Sequence, residues 1–196
     1  MQKTVFIVAF NDEIENIKDF FDMRKTNNEH YYVSNTLPNL SMVVTGVGLT
    51  NVLISLTDCI NKNLFSFDDN FINIGFVGSP LYNIGDIVQI KNVKRLFEPK
   101  KVSGLNKNFE TNILFNDKYK TTTLYTADDF VENQDLPEQD CVVDMEGYYI
   151  TCMFNNIKII KIVSDNLCMK DCDNANRSDI IRKSWNKILK DIKNSL

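Results

Sequence analysis

Short apolar runs alternate along this chain with segments of helical periodicity, and that alternation restricts it to a small set of folds. Residues 4–10 form a continuous apolar run, the pattern of a buried strand. Asn11 and Asp12 follow as candidate helix caps, and Ile14, Ile17, Phe20 and Phe21 then recur at helical spacing. Residues 31–34 and 41–45 read as strands. Gly46-Val47-Gly48 breaks the chain before Leu49, Val52, Leu53, Leu56 and Ile60 line one helical face. Strand patterns recur at 70–76, 87–97, 121–126, 142–145 and 157–163, with a loop over 98–108 and a helix over 146–155. Ile181, Trp185, Ile188 and Ile192 close the chain on one face of a last helix. Strands interleaved with helices imply an α/β sandwich with a central sheet.

Composition narrows the classes. The 196 residues suit one domain, 1–196, and 43% hydrophobic with 24% charged residues excludes collagen-like, low-complexity or disordered chains. No apolar run approaches the ~20 residues of a membrane span. The N-terminal run lacks a small-residue cleavage site and reads as a first strand, so the expected location is the cytoplasm. A net charge of −4, with 22 scattered basic residues, argues against nucleic acid as the main partner. The basic stretch 177–193 reads as a solvated helix face.

Five cysteines (Cys59, Cys141, Cys152, Cys168, Cys172) in a chain read as cytoplasmic argue for reduced thiols. Cys168 and Cys172 make a single C-x3-C, short of the four ligands of structural zinc, so no metal is expected. One histidine, His30, makes Ser-His or Cys-His catalysis improbable. Carboxylates are left to carry the chemistry. In such sheets ligands bind at the carboxyl ends of the strands. The polar residues there are Glu13, Gly46 to Gly48, Gly75 to Ser79, Asp128, Glu146, Ser164 and Asp165. Glu13, Glu146 and Asp165 stand out beside apolar walls, where burial raises a carboxyl pKa. Two carboxylates flanking a substrate bond suit glycosidic cleavage. Each acid taken alone reads more readily as a helix cap or a strand end.

Val143-Asp144-Met145-Glu146-Gly147 and Lys161-Ile162-Val163-Ser164-Asp165, with further segments in order along the chain, resemble the nucleoside phosphorylase and nucleosidase superfamily. The first is similar to its V-[DE]-M-E-[GAS] signature, and the second to its R-x-x-S-D segment. Thr45-Gly46-Val47-Gly48, Asn73 to Gly78, Gly85-Asp86-Ile87-Val88 and Asp128-Asp129-Phe130 match further family segments in the family's order. The opening, Val8 to Glu13, resembles the first strand and acidic turn of the methylthioadenosine/S-adenosylhomocysteine nucleosidases. The resemblance implies a three-layer αβα sandwich with a central mixed β-sheet. It implies that Asp165 protonates the purine N7 and that Glu13 holds and deprotonates water. Glu146 would bind the ribose hydroxyls, Met145 would pack on the sugar and Phe130 would stack on the base. Val131, Gly78, Ser164 and Lys161 would complete the substrate site. It implies no cofactor, a purine nucleoside as small-molecule partner, and a homodimer with Leu49, Val52, Leu53 and Leu56 as a candidate interface face.

Three positions depart from the family. Asn73 stands where the phosphorylases carry a phosphate-binding Arg, which favours water as nucleophile. Phe76 replaces a hydroxyl residue that helps hold the nucleophile. Lys161 replaces an Arg, keeping charge but losing the planar fork. The leading reading is a purine nucleoside hydrolase favouring a thioether nucleoside such as methylthioadenosine. A phosphate-dependent phosphorylase and a nucleoside-binding protein with weakened turnover are the alternatives.

Overall fold

Period-two alternation in apolar strands gives both faces of a sheet something to bury. In β1 (Thr4–Val8), Val5 and Ile7 enter one core while Phe6 and Val8 enter the other. The computed structural model describes residues 2–96, 108–132, 136–138, 140–167 and 175–196. Most of the expected 98–108 loop, together with Cys168 and Cys172, lies outside them.

After β1 come α1 (Asn11–Phe20), β2 (Met23–Lys25), β3 (Tyr31–Ser34), β4 (Leu40–Val44) and α2 (Leu49–Asn61). The chain continues through β5 (Asn70–Gly78), β6 (Ile87–Arg95), β7 (Phe109–Glu110), β8 (Lys120–Thr126) and β9 (Cys141–Asp144). It ends with α3 (Gly147–Met153), β10 (Ile157–Asp165) and α4 (Ala175–Lys193). The strands form one mixed sheet in the order β10-β6-β8-β9-β5-β1-β4-β3-β2, with β7 beside β6. β10 also pairs with β5, so β5, β10, β6, β8 and β9 close into a ring and the other strands extend from it. β1, β4, β5 and β10 run parallel, while β9 meets β5 antiparallel at Gly78 and Val143.

The helices pack in two layers. Val52, Leu56 and Cys59 of α2 and Tyr148, Tyr149 and Ile150 of α3 share one core with the sheet. Ile14 and Ile17 of α1 and Trp185, Ile188, Leu189 and Ile192 of α4 share the other. The α4 spacing is i, i+3, i+4, i+7, one stripe of a helix. This is the expected αβα sandwich around a mixed sheet.

Some boundaries differ from the sequence pattern. β1 stops at Val8 because Phe10 becomes the N-cap of α1, so Asn11 and Asp12 lie inside its first turn. Phe10 has no side-chain oxygen with which to cap. Glu13 reaches back instead, its Oε2 accepting the Phe10 N–H at 2.9 Å, the acidic half of a capping box. β2 and β7 are too short for a period to register, and only their pairing with β3 and β6 defines them.

Candidate active site

The carboxyl ends of β1, β5 and β10 meet the chain leaving β8 and β9 around a cavity of about 220 Å³. Its lining includes Glu13, Gly78, Phe130, Val131, Met145, Glu146, Ser164 and Asp165. Lys161 lies outside the lining. It is buried on β10, with Nζ 2.9 Å from Asp144 Oδ2. Asp144, which sequence reasoning passed over, does line the cavity.

Glu13 is 4% exposed, and three backbone N–H groups hold its carboxylate. Oε2 accepts the N–H groups of Ala9 and Phe10, both at 2.9 Å, and Oε1 accepts the N–H of Phe76 at 2.8 Å. This approach requires a glycine: a Cβ on Gly75 would stand 2.4 Å from Glu13 Oε1. Burial pushes the carboxyl up from the ordinary glutamate range, while Lys161 and the three N–H donors pull it back. Phe76 thus supplies a backbone donor at the Glu13 carboxylate where its side chain supplies none. Its ring lines the cavity and meets Trp185 edge-on, with centroids 5.7 Å apart.

Glu146, the N-cap of α3, is also buried. Its Oε1 accepts the Gly48 N–H at 2.9 Å. Gly48 has a φ of 85°, in the left-handed region that favours glycine, so the Gly-x-Gly turn presents that N–H to the Glu146 carboxylate. Burial and the neighbouring Asp144 push the Glu146 carboxyl up to about 7, against the pull of Lys161 and Gly48, with Glu13 adding to the rise.

Asp144 binds five donor contacts. Oδ1 accepts Thr126 Oγ1 at 2.7 Å and the N–H groups of Glu146 and Gly147, and Oδ2 accepts the Gly147 N–H and Lys161 Nζ. Burial alone would lower the Lys161 pKa, but Asp144, Glu13 and Glu146 together outweigh it and raise the value. The sequence signal for Asp144 was its place in Val143-Asp144-Met145-Glu146.

Asp165 ends β10 half-buried. It accepts the Ser164 hydroxyl at 2.8 Å and the Leu167 N–H at 3.0 Å. Val131 is buried, whereas Phe130 is 58% exposed at the mouth beside the exposed Phe10 and Val47. Asn73 points away: its Nδ2 donates to the Ile7 carbonyl at 3.0 Å, tying β5 to β1. Among the described lining residues five are acids and none is a cation.

This mixed sheet has the fold of solved nucleosidases. Solved structures carry the likeness over nearly the whole chain. The nucleosidase MTAN from Chlamydia trachomatis matches with a TM-score of 0.74 at 20% identity, covering 100% of both chains. A 5′-methylthioadenosine/S-adenosylhomocysteine nucleosidase from Neisseria meningitidis, in complex with methylthio-immucillin-A, matches with a TM-score of 0.72 at 16% identity over 97% of this chain and 96% of that one. The corresponding nucleosidase from Helicobacter pylori, with butyl-thio-DADMe-Immucillin-A, matches with a TM-score of 0.71 at 16% identity over 100% and 97%. No protein-family model and no curated protein matches the chain. No helix among the described residues is long and apolar enough to cross a membrane.

Proposed function

We propose that this chain hydrolyses the N-glycosidic bond of a purine nucleoside, with a methylthioadenosine- or S-adenosylhomocysteine-like substrate favoured. One observation carries the reading: the cavity walls bring Glu13, Glu146 and Asp165 together with two further acids, and no described lining residue is a cation. Such a wall repels a phosphate dianion and admits neutral water. It also stabilises the positive charge that an oxocarbenium-like transition state develops on the sugar. The resemblance to structures solved with immucillin ligands supports a nucleoside as the occupant.

In this reading Glu13 takes a proton from water as the water oxygen bonds to C1′. The C1′–N9 bond breaks, its electron pair passes into the purine, and Asp165 gives a proton to N7. Glu146 accepts the ribose hydroxyls while Met145 packs on the sugar. Phe130 and Val131 form the base wall, and Gly78 and Ser164 complete the site. Lys161 acts from beneath the wall through its charge, favouring the ionised forms of Glu13 and Glu146. No cofactor enters the reaction.

The enzyme is read as one cytoplasmic domain, 1–196, acting as a homodimer. Of the interface face read from sequence, Val52 and Leu56 pack in the core, while Leu49 and Leu53 are left exposed; Ile54 of the same helix, and the cavity residues Phe10 and Val47, are exposed too. A second copy seated there would cover apolar surface and part of the cavity mouth.

Base release from methylthioadenosine tests the assignment. The wild-type chain is expected to release adenine. Asp165→Asn is expected to lose about 10²–10⁴-fold in turnover, the usual contribution of a general acid, with melting temperature and nucleoside affinity nearly unchanged. A folded Asp165→Asn protein with wild-type turnover would refute the role.

A further inference from the structure

The base wall leaves β8 at Thr126 and reaches the cavity at Asp129, Phe130 and Val131. Phe130, at 58% exposed, has little packing of its own to fix it. Asp128 lies just before this wall and does not line the cavity. Its carboxylate is held from two directions: one oxygen accepts the Tyr149 hydroxyl, and the other pairs with Arg95 Nη2 at 2.5 Å. The Arg95 guanidinium also lies over the Tyr149 ring, 5.9 Å from its centroid. Burial would raise the Asp128 pKa, but its bonds to Tyr149 and Arg95 outweigh that and hold the carboxyl below the ordinary aspartate range.

The two holders come from elements with their own reasons to be fixed. Arg95 ends β6 and pairs in register with Thr126, the last residue of β8. Tyr149 sits in the first turn of α3, and its N–H donates to the carbonyl of Glu146 at 3.0 Å. The same short helix therefore carries the acid assigned to ribose at its N-cap and the tether of the base wall one turn on.

We propose that Arg95 and Tyr149 are positioning residues for purine recognition: acting through Asp128, they hold the Phe130–Val131 wall in register with Glu146. This rests on the nucleoside reading above. One guanidinium N–H on one carboxylate oxygen and a phenol hydroxyl on the other hold Asp128 from two sides, which fixes direction as well as distance. A surface brace of the same composition would move melting temperature and leave substrate affinity alone.

Tyr149→Phe removes one hydroxyl and nothing else, so it keeps the fold in play even where Arg95→Ala does not. Adenine binding by calorimetry and steady-state cleavage of methylthioadenosine are read together with the melting temperature. The expected result for Tyr149→Phe is an adenine Kd and a KM raised about tenfold, the scale of one hydrogen bond to a charged group, with kcat little changed and melting temperature kept. Arg95→Ala should raise KM in the same way, and Arg95→Lys should recover part of the loss. If Tyr149→Phe folds and binds adenine as the wild type does, or loses kcat at constant KM, the positioning role is overturned. A wild-type chain that neither binds adenine nor releases it would instead sink the nucleoside reading, and this inference with it.

Discussion

Glu13 shows how far a single residue's role depends on its neighbours. In the sequence it is an acid after a strand, indistinguishable from a helix-capping residue. In the structure it is both, because the oxygen that caps α1 belongs to the carboxylate at the cavity wall. Gly75 makes that double duty possible. Gly75→Ala would drive a methyl into Glu13 Oε1, so turnover should fall about 10²-fold, the cost of an ångström-scale misplacement, with a much smaller change in melting temperature. Glu146 gives a pH signature. Its carboxyl is raised from 4.5 to about 7, so the folded chain retains a proton across that window that the unfolded chain has released. Its contribution therefore favours folding at the acid end and is lost as pH rises through the window. The melting temperature should fall between pH 5 and pH 8, and Glu146→Gln should flatten that slope. Accepting two ribose hydroxyls needs the ionised form, so kcat/KM should rise with pH to a plateau above about 7, and the Gln variant should lose that limb. For Asp144 the sequence carries only its place in Val143-Asp144-Met145-Glu146; its contacts with Thr126 and Lys161, from two other strands, are not legible there.

At the scale of elements, the long strands and amphipathic helices were legible because their periods are long enough to register. The β10 run and the Trp185, Ile188, Ile192 stripe needed no tertiary information. β2 and β7, three and two residues long, exist only through their partners. The N-cap of α1 is Phe10, ahead of both Asn11 and Asp12, because the capping acceptor is Glu13 from inside the helix and not the Asn11 or Asp12 side chain. Phe76 shows the same limit. Its sequence position suggested a lost hydroxyl donor, but on β5 its ring braces Trp185 of α4 while its N–H serves Glu13. Phe76→Ser should therefore not simply restore a donor. Removing a ring packed in this way costs up to about 3–5 kcal/mol, so a substantial drop in melting temperature is expected. A variant that kept wild-type stability and hydrolysed faster would show that the ring is dispensable to α4.

At the scale of the whole molecule, the closure of β10 onto β5 gathers acids from α1, β9, α3 and β10 at one mouth. The αβα layering followed from the order of elements, but the ring closure depends on a pairing that no local pattern announces. The exposed Leu53 and Ile54 of α2 should report assembly. Light scattering should give a dimer for the wild type and a monomer for Ile54→Asp, and a fully active wild-type monomer would contradict the shared-mouth reading. The central claim is that an acid-lined cavity takes water and not phosphate as nucleophile. Its most direct measurement is purine release from methylthioadenosine, followed by chromatography in phosphate-free buffer and again with inorganic phosphate. The account expects equal release in both, with free sugar as the second product. Release that requires phosphate, with a sugar 1-phosphate as product, would contradict it.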